Sequence, residues 1–273
     1  MRRNAKLIPC FFVLGFIFNF LLNIAEAFAS KKIVILAPVI SEWTAEILGQ
    51  EQTLKQVVGV SEYSHYPDYL KKIQTIGPYP QLHIEKIASL HPDLVLGSSE
   101  SNLSEQIEKL RRLHLNVVLL KKETFQGMSE WIKELGKALE ADASATQVAK
   151  HWLLAVGKLK VKHHPAKRML IEVQDEPLIT VGGGSFLNDA FSSVGYQNIF
   201  SALPQSYPKL SREAVLKEKP DVIFVMNVMG SDDSFEISKA KWKRFLKSDV
   251  ISISADDFAR CSFRLLKGIE ALP

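Results

Sequence analysis

Short apolar runs and amphipathic segments follow one another along most of this chain. Runs rich in Val, Ile and Leu, such as 31–38 and 57–60, are typical of buried strands. Segments such as 103–114 instead place apolar residues, among them Leu103 and Leu110, on one helical stripe. Strands that alternate with helices need crossover connections, so the pattern predicts an α/β fold with mostly parallel sheets.

The middle of the chain breaks this alternation. Residues 128–163 contain no β run and no proline, and helix-favouring residues predominate. The pattern predicts two helices that separate near 140–144, and the second, about 142–163, would span about 30 Å. We therefore predict two Rossmann-like α/β lobes joined by one long rigid helix, with a ligand cleft between the lobes. The predicted units are a signal peptide at 1–29, an N-terminal lobe at 30–140, a connecting helix at 141–164 and a C-terminal lobe at 165–273.

One helix–turn–strand unit occurs twice at a constant spacing. "IEKIASLHPDLVL" starts at Ile84, and "REAVLKEKPDVIF" starts at Arg212. A constant offset over a whole unit indicates two lobes of similar build. The paired positions, 128 residues apart, are Glu85 with Glu213, Pro92 with Pro220 and Asp93 with Asp221.

The first 29 residues have the pattern of a secretory signal peptide. Arg2, Arg3 and Lys6 precede a long apolar run, and "AFAS" supplies small residues at a cleavage site near Ala29–Ser30. Cleavage predicts a soluble, exported, periplasmic protein. The alternative is an uncleaved N-terminal helix that anchors the protein in a membrane, because the run is long enough to span a bilayer.

Composition argues against nucleic acid as a partner and against a disulfide. Lys and Arg together number 34 against 30 Asp and Glu, a formal net charge of +4, which leaves no basic footprint for nucleic acid. The cysteines are Cys10 and Cys261, so cleavage of the signal peptide leaves one, and no intrachain disulfide is possible. Nothing in the sequence predicts oligomerisation, so we expect a monomer.

The sequence shows no motif for catalysis or for a resident metal. It has no Gly-x-Ser-x-Gly elbow, and its histidines lack a His-x-x-x-His spacing. The glycines at 182–184 lack the spacing of a dinucleotide fingerprint and the lysine of a P-loop. We expect Gly183 in a tight strand-to-helix turn at the cleft edge, with backbone N–H groups free to meet a ligand. We predict no catalytic residue, metal site or cofactor; a secreted α/β hydrolase is the alternative, since triad order varies between folds.

Six segments in succession resemble the periplasmic cobalamin-binding proteins. These are substrate-binding components of ABC importers, in a helical-backbone group that also includes haem and iron-siderophore binders. The resemblance extends from about Lys32 to Leu272 and implies a non-enzymatic protein that captures a ligand and delivers it to a membrane permease. The segments are "ILAPVISEWTAEILG", "VVGVSEYSHYP", "IEKIASLHPDLVLG", "GGGSFLNDAFSSVGYQNIF", "YPKLSREAVLKEKPDVIF" and "DDFARCSFRLLKGIEAL".

The resemblance also gives the paired glutamates a role. Members of the family dock one glutamate of each lobe onto arginines of the permease dimer, and Glu85 and Glu213 are the matching positions. Equivalent charges on two lobes suit a two-fold symmetric partner. Taken singly, each glutamate is better explained as a first-turn acid at the positive end of its helix. That explanation does not account for both glutamates at the same place in each repeat, so docking is favoured for the pair.

The implied ligand is cobalamin or a related corrinoid, with haem or a ferric siderophore as alternatives. A broad, flat, largely apolar chelate needs aromatic walls. The matching loops supply Tyr63, Tyr79 and Tyr207, and Asp256 matches an aspartate that lines the cleft. For each tyrosine the alternative is a half-buried loop aromatic without a role in binding.

Two loops complete the candidate ligand site. Where the family often places a tryptophan and a pair of glycines, residues 98–102 read "SSESN", so Ser98 is expected to belong to a smaller and more polar wall. His65 lies in the same loop as Tyr63 and is a candidate axial group for the metal of a ligand. Single loop histidines are more often solvated.

Overall fold

The structure is a computed structural model that describes residues 30–99, 102–227 and 232–273. The predicted signal peptide, Glu100 and Ser101 lie outside the described residues. The strands are β1 Ile33–Ile35, β2 Val57–Val60, β3 Leu94–Ser98, β4 Val117–Leu120, β5 Lys167–Gln174, β6 Ile179–Thr180, β7 Tyr196–Asn198, β8 Val222–Asn227 and β9 Asp249–Ser254. The α-helices are α1 Pro38–Gln56, α2 Ile84–Ser89, α3 Ser104–Arg112, α4 Met128–Ala138, α5 Asp142–Val156, α6 Phe186–Ser192, α7 Arg212–Glu218, α8 Asp232–Lys243, α9 Ala255–Phe258 and α10 Phe263–Ala271.

The N-terminal lobe contains a parallel sheet in the order β2-β1-β3-β4. Successive side chains of a strand point to opposite faces of the sheet, and both faces of this sheet are covered, so its strands are apolar throughout. Ile33 and Ile35 pack into the large inner core, while Val34 and Leu36 pack against the helices outside. The predicted parallel sheet of this lobe is confirmed.

The C-terminal lobe contains a second, separate sheet in the order β6-β5-β8-β9, with β7 also paired to β5. All pairings are parallel except that of β5 with β6. β6 and β7 were not predicted from the sequence, because runs of two and three residues are too short to show a period. The two sheets, parallel in all pairings but one, confirm the predicted fold class.

The connecting helix is shorter than the pattern predicts. α5 ends at Val156, and residues 157–166 continue without helix or strand to β5. Gly157 follows the last helical residue, and the Lys162 N–H donates to Val194 O at 2.7 Å instead of to a helical carbonyl. The prediction of helix as far as residue 163 is therefore wrong, and α5 spans about 22 Å rather than 30 Å. The proposed lobe boundaries stay an interpretation.

The segment "SEWTAEILG" predicts a helix with Ser41 as its N-cap and Gly49 as its stop, but α1 begins and bends differently. It starts at Pro38, which suits the first helical position because its missing N–H would have no partner there. Ser41, the expected cap, lies inside the helix, and its hydroxyl is 3.0 Å from the Ser64 hydroxyl. Gly49, the expected stop, has a φ of 72° and breaks the helical geometry, but helical residues continue to Gln56.

A single apolar core links the two sheets. Side chains of β1 and β5 belong to the same buried cluster, together with residues of α1, α4, α5 and α10. Trp152 of α5 lies at its centre, with ring centroids 5.5 Å from Trp43, 5.7 Å from Phe125 and 5.8 Å from Phe263. The connecting helix is thus packed against both lobes, which restrains their relative motion.

Candidate functional site

A cleft of about 520 Å³ lies between the two sheets, at the C-terminal ends of their strands. In α/β folds this is the edge where ligands bind, because the loops there leave a crevice that the strands hold open. Both lobes contribute to it. The lining residues are Ala37, Pro38, Val39, Tyr63, Tyr79, Lys122, Glu123, Val173, Ser185, Phe186, Ser206, Tyr207, Met226, Ala259 and Arg260.

The three predicted tyrosines all line this cleft. Tyr63 and Tyr79 come from the N-terminal lobe, and Tyr207 comes from the C-terminal lobe. Tyr63 is 52 % exposed and Tyr207 45 % exposed, whereas the tryptophans of the core are at most 5 % exposed. Exposed aromatic rings on both sides of a crevice offer flat apolar surface to a ligand. Their role as ligand contacts stays a prediction.

Tyr79 and Tyr207 belong to the internal repeat. They are 128 positions apart, as are Glu85 and Glu213, and both tyrosines begin a Tyr-Pro-x-Leu sequence. The repeat therefore begins at the tyrosines and is longer than the helix–turn–strand unit alone. The two lobes therefore present equivalent rings to the cleft from equivalent loops.

The charged residues of the cleft were not predicted. Lys122 follows β4, and its ammonium donates to the Ser206 hydroxyl of the opposite lobe. Arg260 follows β9 and α9, and its Nη2 donates to the Tyr63 carbonyl oxygen at 3.0 Å. Glu123 is the third charged residue among the described lining residues. For Lys122 and Glu123 the signal in the sequence was their position shortly after β4, since such residues face the crevice. Arg260 lies beyond α9 and had no such signal.

His65 and Asp256 meet each other across the two lobes. His65 Nε2 lies 3.3 Å from Asp256 Oδ1, and both side chains are half-buried. Neither residue is among those that line the cleft in the described part of the chain. Their predicted contact with a ligand stays a prediction, and the structure adds a contact between the lobes that the sequence did not indicate.

Ser98 is buried at the end of β3. Its backbone N–H donates to Asn102 Oδ1 at 2.7 Å, so the Asn102 side chain closes the loop that follows the strand. Ser98 is not among the described residues that line the cleft. The predicted polar wall therefore rests on a loop of which the structure describes only Ser98, Ser99 and Asn102.

The expectation of free N–H groups at Gly183 is wrong. The Gly183 N–H donates to Leu203 O at 2.8 Å, and the Gly182 N–H donates to Ser206 O at 3.0 Å. A Cβ added to Gly183 would lie 2.0 Å from Ser201 O, so the residue is glycine because two backbone segments approach closely. The residues that follow the turn, Ser185 and Phe186, line the cleft instead.

Glu85 and Glu213 occupy equivalent exposed positions. Each lies in the first turn of its helix, α2 or α7, and each helix leads back to the start of a strand, β3 or β8. The N-termini of α2 and α7 therefore lie toward the C-terminal edges of the sheets, and this is the edge at which the cleft opens. Hydrogen bonds from its own backbone N–H and from Ser211 lower the pKa of Glu213, which keeps this carboxylate ionised.

A sequence profile described as periplasmic binding protein matches residues 33–249. The chain belongs to this family. As a periplasmic binding protein it is a transport component and not an enzyme, which sets aside the hydrolase alternative.

Named relatives of this periplasmic binding protein include vitamin B12-binding proteins. That of Salmonella typhi is 29 % identical over 251 residues, which covers 90 % of each chain. That of Pectobacterium atrosepticum is 27 % identical over 250 residues, 89 % of this chain and 87 % of the relative. Over about nine tenths of its length, then, the chain resembles proteins named for one ligand.

Solved structures share the fold. The periplasmic vitamin B12-binding protein BtuF of Vibrio cholerae superposes with a TM-score of 0.73 at 24 % identity, covering 89 % of this chain and 94 % of that one. The periplasmic haem-binding protein HutB of Vibrio cholerae gives 0.69 at 19 % identity, covering 88 % and 96 %. At these identities the superpositions show the fold alone.

The described residues contain neither a metal cluster nor a membrane-spanning helix. Within residues 30–99, 102–227 and 232–273, no three His, Cys, Asp or Glu side chains are placed to hold a metal ion together. Over the same ranges, no helix combines the length and apolarity needed to cross a bilayer.

Proposed function

We propose that this periplasmic binding protein captures cobalamin or a related corrinoid and delivers it to an ABC importer. The observation that carries the proposal is the cleft between the sheets, with tyrosines of both lobes on its walls. In the same proposal, the protein is soluble in the periplasm after cleavage near Ala29–Ser30. The similarity to named vitamin B12-binding proteins supports the choice of ligand.

The chemistry of the walls fits a flat macrocycle. Val39, Phe186 and Met226 supply apolar surface next to the tyrosines, while Ser185 and Ser206 supply hydrogen-bonding groups. Large, mostly apolar ligands bind well where a few polar groups fix their orientation within an apolar surface. A corrin ring offers apolar faces to the aromatic rings and amide side chains at its edge.

Haem or a ferric siderophore is the second candidate, favoured by the cations of the cleft. Lys122 and Arg260 both line it, and each is able to pair with a carboxylate at the edge of a ligand. Haem carries such carboxylates, and many ferric chelates are anionic. The number of anionic groups on the ligand thus separates the two candidates.

Calorimetric titration of residues 30–273 with cyanocobalamin, haem and a ferric hydroxamate siderophore tests the ligand. We expect saturable heat with cyanocobalamin, and about tenfold weaker binding for Tyr63→Ala and for Tyr207→Ala because each loses a stacking surface. Phe245→Ala is the control, since this exposed aromatic lies outside the cleft. Heat from haem or the siderophore but not from cyanocobalamin would leave the transport role and reject the corrinoid.

We further propose that Glu85 and Glu213 dock onto cationic residues of a two-fold symmetric permease. Their equivalent positions on the cleft edge, one in each lobe, support this pairing. Exposed charges of this kind set encounter rate and orientation more than affinity. A role limited to the helix dipole would apply equally to any first-turn glutamate.

The double variant Glu85→Lys with Glu213→Lys tests docking. We expect cyanocobalamin binding in solution to remain and uptake through the permease to be lost, because the charges on both lobes are reversed. The matched control is Glu105→Lys with Glu130→Lys, which also reverses exposed first-turn glutamates. Equal loss of uptake in both double variants, or loss of ligand binding in the first, contradicts the docking role.

A further inference from the structure

A buried group of charged side chains joins the two lobes beside the cleft. Glu42 of α1 belongs to the N-terminal lobe, and Arg260 and Arg264 belong to the C-terminal lobe; their side chains are 5 %, 11 % and 12 % exposed. Glu42 Oε1 lies 3.2 Å from Arg260 Nη1 and 3.6 Å from Arg264 Nη1. One carboxylate therefore sits against two guanidinium groups from the opposite lobe. We call these three residues the cross-lobe clamp.

Arg260 connects the clamp to the wall of the cleft. Its Nη2 donates to the Tyr63 carbonyl oxygen at 3.0 Å, and both residues line the cleft. A guanidinium holds its N–H groups in a rigid plane, so its contacts with Glu42 and with Tyr63 are geometrically coupled. A shift of one lobe relative to the other would disturb both contacts together.

Contacts around the clamp join the same two segments of chain. The Arg264 guanidinium lies 4.6 Å from the centre of the Tyr66 ring. Trp43, the neighbour of Glu42, donates from Nε1 to Cys261 O at 2.8 Å. Together with the His65–Asp256 contact, these interactions fasten residues 256–264 to the N-terminal lobe.

Because the charges of the clamp are buried, they are stabilised only while the carboxylate and the guanidinium groups stay close together. Burial raises the pKa of Glu42, and the positive charges of Arg260 and Arg264 act against that rise. A buried ion pair contributes little net attraction after desolvation, but removal of one partner leaves an uncompensated charge. The clamp therefore selects one spacing of the lobes more than it adds stability.

We propose that Glu42 is a positioning residue which, through Arg260 and Arg264, sets the spacing of the lobes and holds the Tyr63 wall opposite the Tyr207 wall. Glu42 does not itself line the cleft in the described part of the chain. The effect on ligand release rests on the proposed function, whereas the effect on lobe spacing does not. Loss of the clamp would let the cleft widen and the ligand leave faster.

The test begins with distances in the ligand-free protein. Cysteines introduced at the exposed residues Ser89 and Lys217, one in each lobe, carry spin labels for a pulsed-EPR measurement. Cys261 does not compete for label, because it is fully buried and burial raises the pKa of its thiol. In this background Glu42→Gln should broaden the distance distribution and move it to longer distances.

Glu172→Gln is the matched control for a lost buried carboxylate. Glu172 is also buried, but it accepts hydrogen bonds from Ser238 and Trp242 within the C-terminal lobe. We expect this variant to lower the thermal midpoint without a change in the distance distribution. Identical distributions for Glu42→Gln and Glu172→Gln would overturn the proposal.

Release of cyanocobalamin gives the second readout. Glu42→Gln should release it about tenfold faster than the unsubstituted protein, while Glu172→Gln should not. Arg260→Lys keeps a cation for Glu42 but loses the planar fork, so it should shift the distances less than Glu42→Gln and provides the test if the latter does not fold. Shifted distances in a protein that never binds cyanocobalamin would uphold the clamp and reject the proposed ligand.

Discussion

Asp93 and Asp221 have the same structural role in the two lobes. Asp93 Oδ2 accepts a hydrogen bond from the Lys32 N–H at 2.7 Å, and Asp221 Oδ2 accepts one from the Arg168 N–H at 2.8 Å. Each aspartate thereby fastens the start of one strand to the neighbouring strand. The repeated Pro-Asp pair is thus explained by strand pairing at the edge remote from the cleft, independently of any binding role.

Glu172 is a buried carboxylate whose partners are neutral. It lies on β5 and accepts from Ser238 Oγ at 2.6 Å and from Trp242 Nε1 at 2.5 Å. Burial raises its pKa above the ordinary value of 4.5, and the two hydrogen bonds oppose that rise. No pattern in the sequence marks this residue, because a glutamate in a strand also fits a solvent-facing position.

The raised pKa of Glu172 predicts a pH dependence of stability. The native state keeps this proton to a higher pH than the unfolded chain does, so the residue's contribution to the unfolding free energy falls as pH rises from about 4.5 through the native pKa. Glu172→Gln removes that dependence. The unfolding free energy of the unsubstituted protein minus that of Glu172→Gln should therefore decrease between pH 4.5 and 7 in urea titrations.

Glu134→Gln, at an exposed position of α4, is the control for this measurement. The difference in unfolding free energy between the unsubstituted protein and Glu134→Gln should change little between pH 4.5 and 7. A Glu172→Gln difference that grows with pH would mean that the native pKa is lowered and that the stated cause is wrong.

At the scale of elements, α4 and α5 approach closely at one point, where the Ala145 methyl group faces Gly136. A Cβ added to Gly136 of α4 would lie 2.1 Å from the Ala145 Cβ of α5, well inside contact distance. The intrinsic helix propensity of glycine is poor, so local preference alone favours alanine at position 136. The packing of the two helices decides against it.

Gly136→Ala should consequently destabilise the protein. The gain in helix propensity is about 1 kcal/mol, and overpacking at this contact should exceed it, for a net loss of roughly 1–2 kcal/mol in urea unfolding. Adding Ala145→Gly makes room for the new methyl group. The double variant should therefore lose less unfolding free energy than the two single variants lose together. Strict additivity would show that the helices do not meet as described.

At the scale of the molecule, the lobes share one core. The buried cluster runs from β1 through α1 and α5 to β5 and β8. Each lobe also has a smaller buried cluster of its own, but lobes that packed independently would not share the largest one. The common core makes the connecting helix a structural part of both halves.

The shared core predicts one cooperative unfolding transition for residues 30–273. Calorimetry should show a single peak whose calorimetric and van't Hoff enthalpies agree. Trp43→Phe removes the Nε1 hydrogen bond to Cys261 O and should lower the unfolding free energy by about 1–3 kcal/mol. The peak should move to a lower temperature without splitting. Two resolved peaks would mean that the lobes unfold independently.

The sequence by itself determined the class of fold and the alternation of strands and helices, and its resemblance to a known family indicated the tyrosines of the cleft. The fold class and the alternation depend on local properties, above all the period of apolar residues, which are written in neighbouring positions. The same properties located the break between α4 and α5. They also identified the paired glutamates at the start of α2 and α7.

Tertiary structure alone decided the end of α5, the packed glycine at 183 and the cross-lobe clamp. Each depends on atoms distant in sequence: Val194 receives the Lys162 N–H, Ser201 lies against Gly183, and Arg260 reaches Glu42. A local pattern carries no information about which distant segment will approach it. Whether a polar residue is exposed, paired or buried is therefore settled only when the two lobes come together.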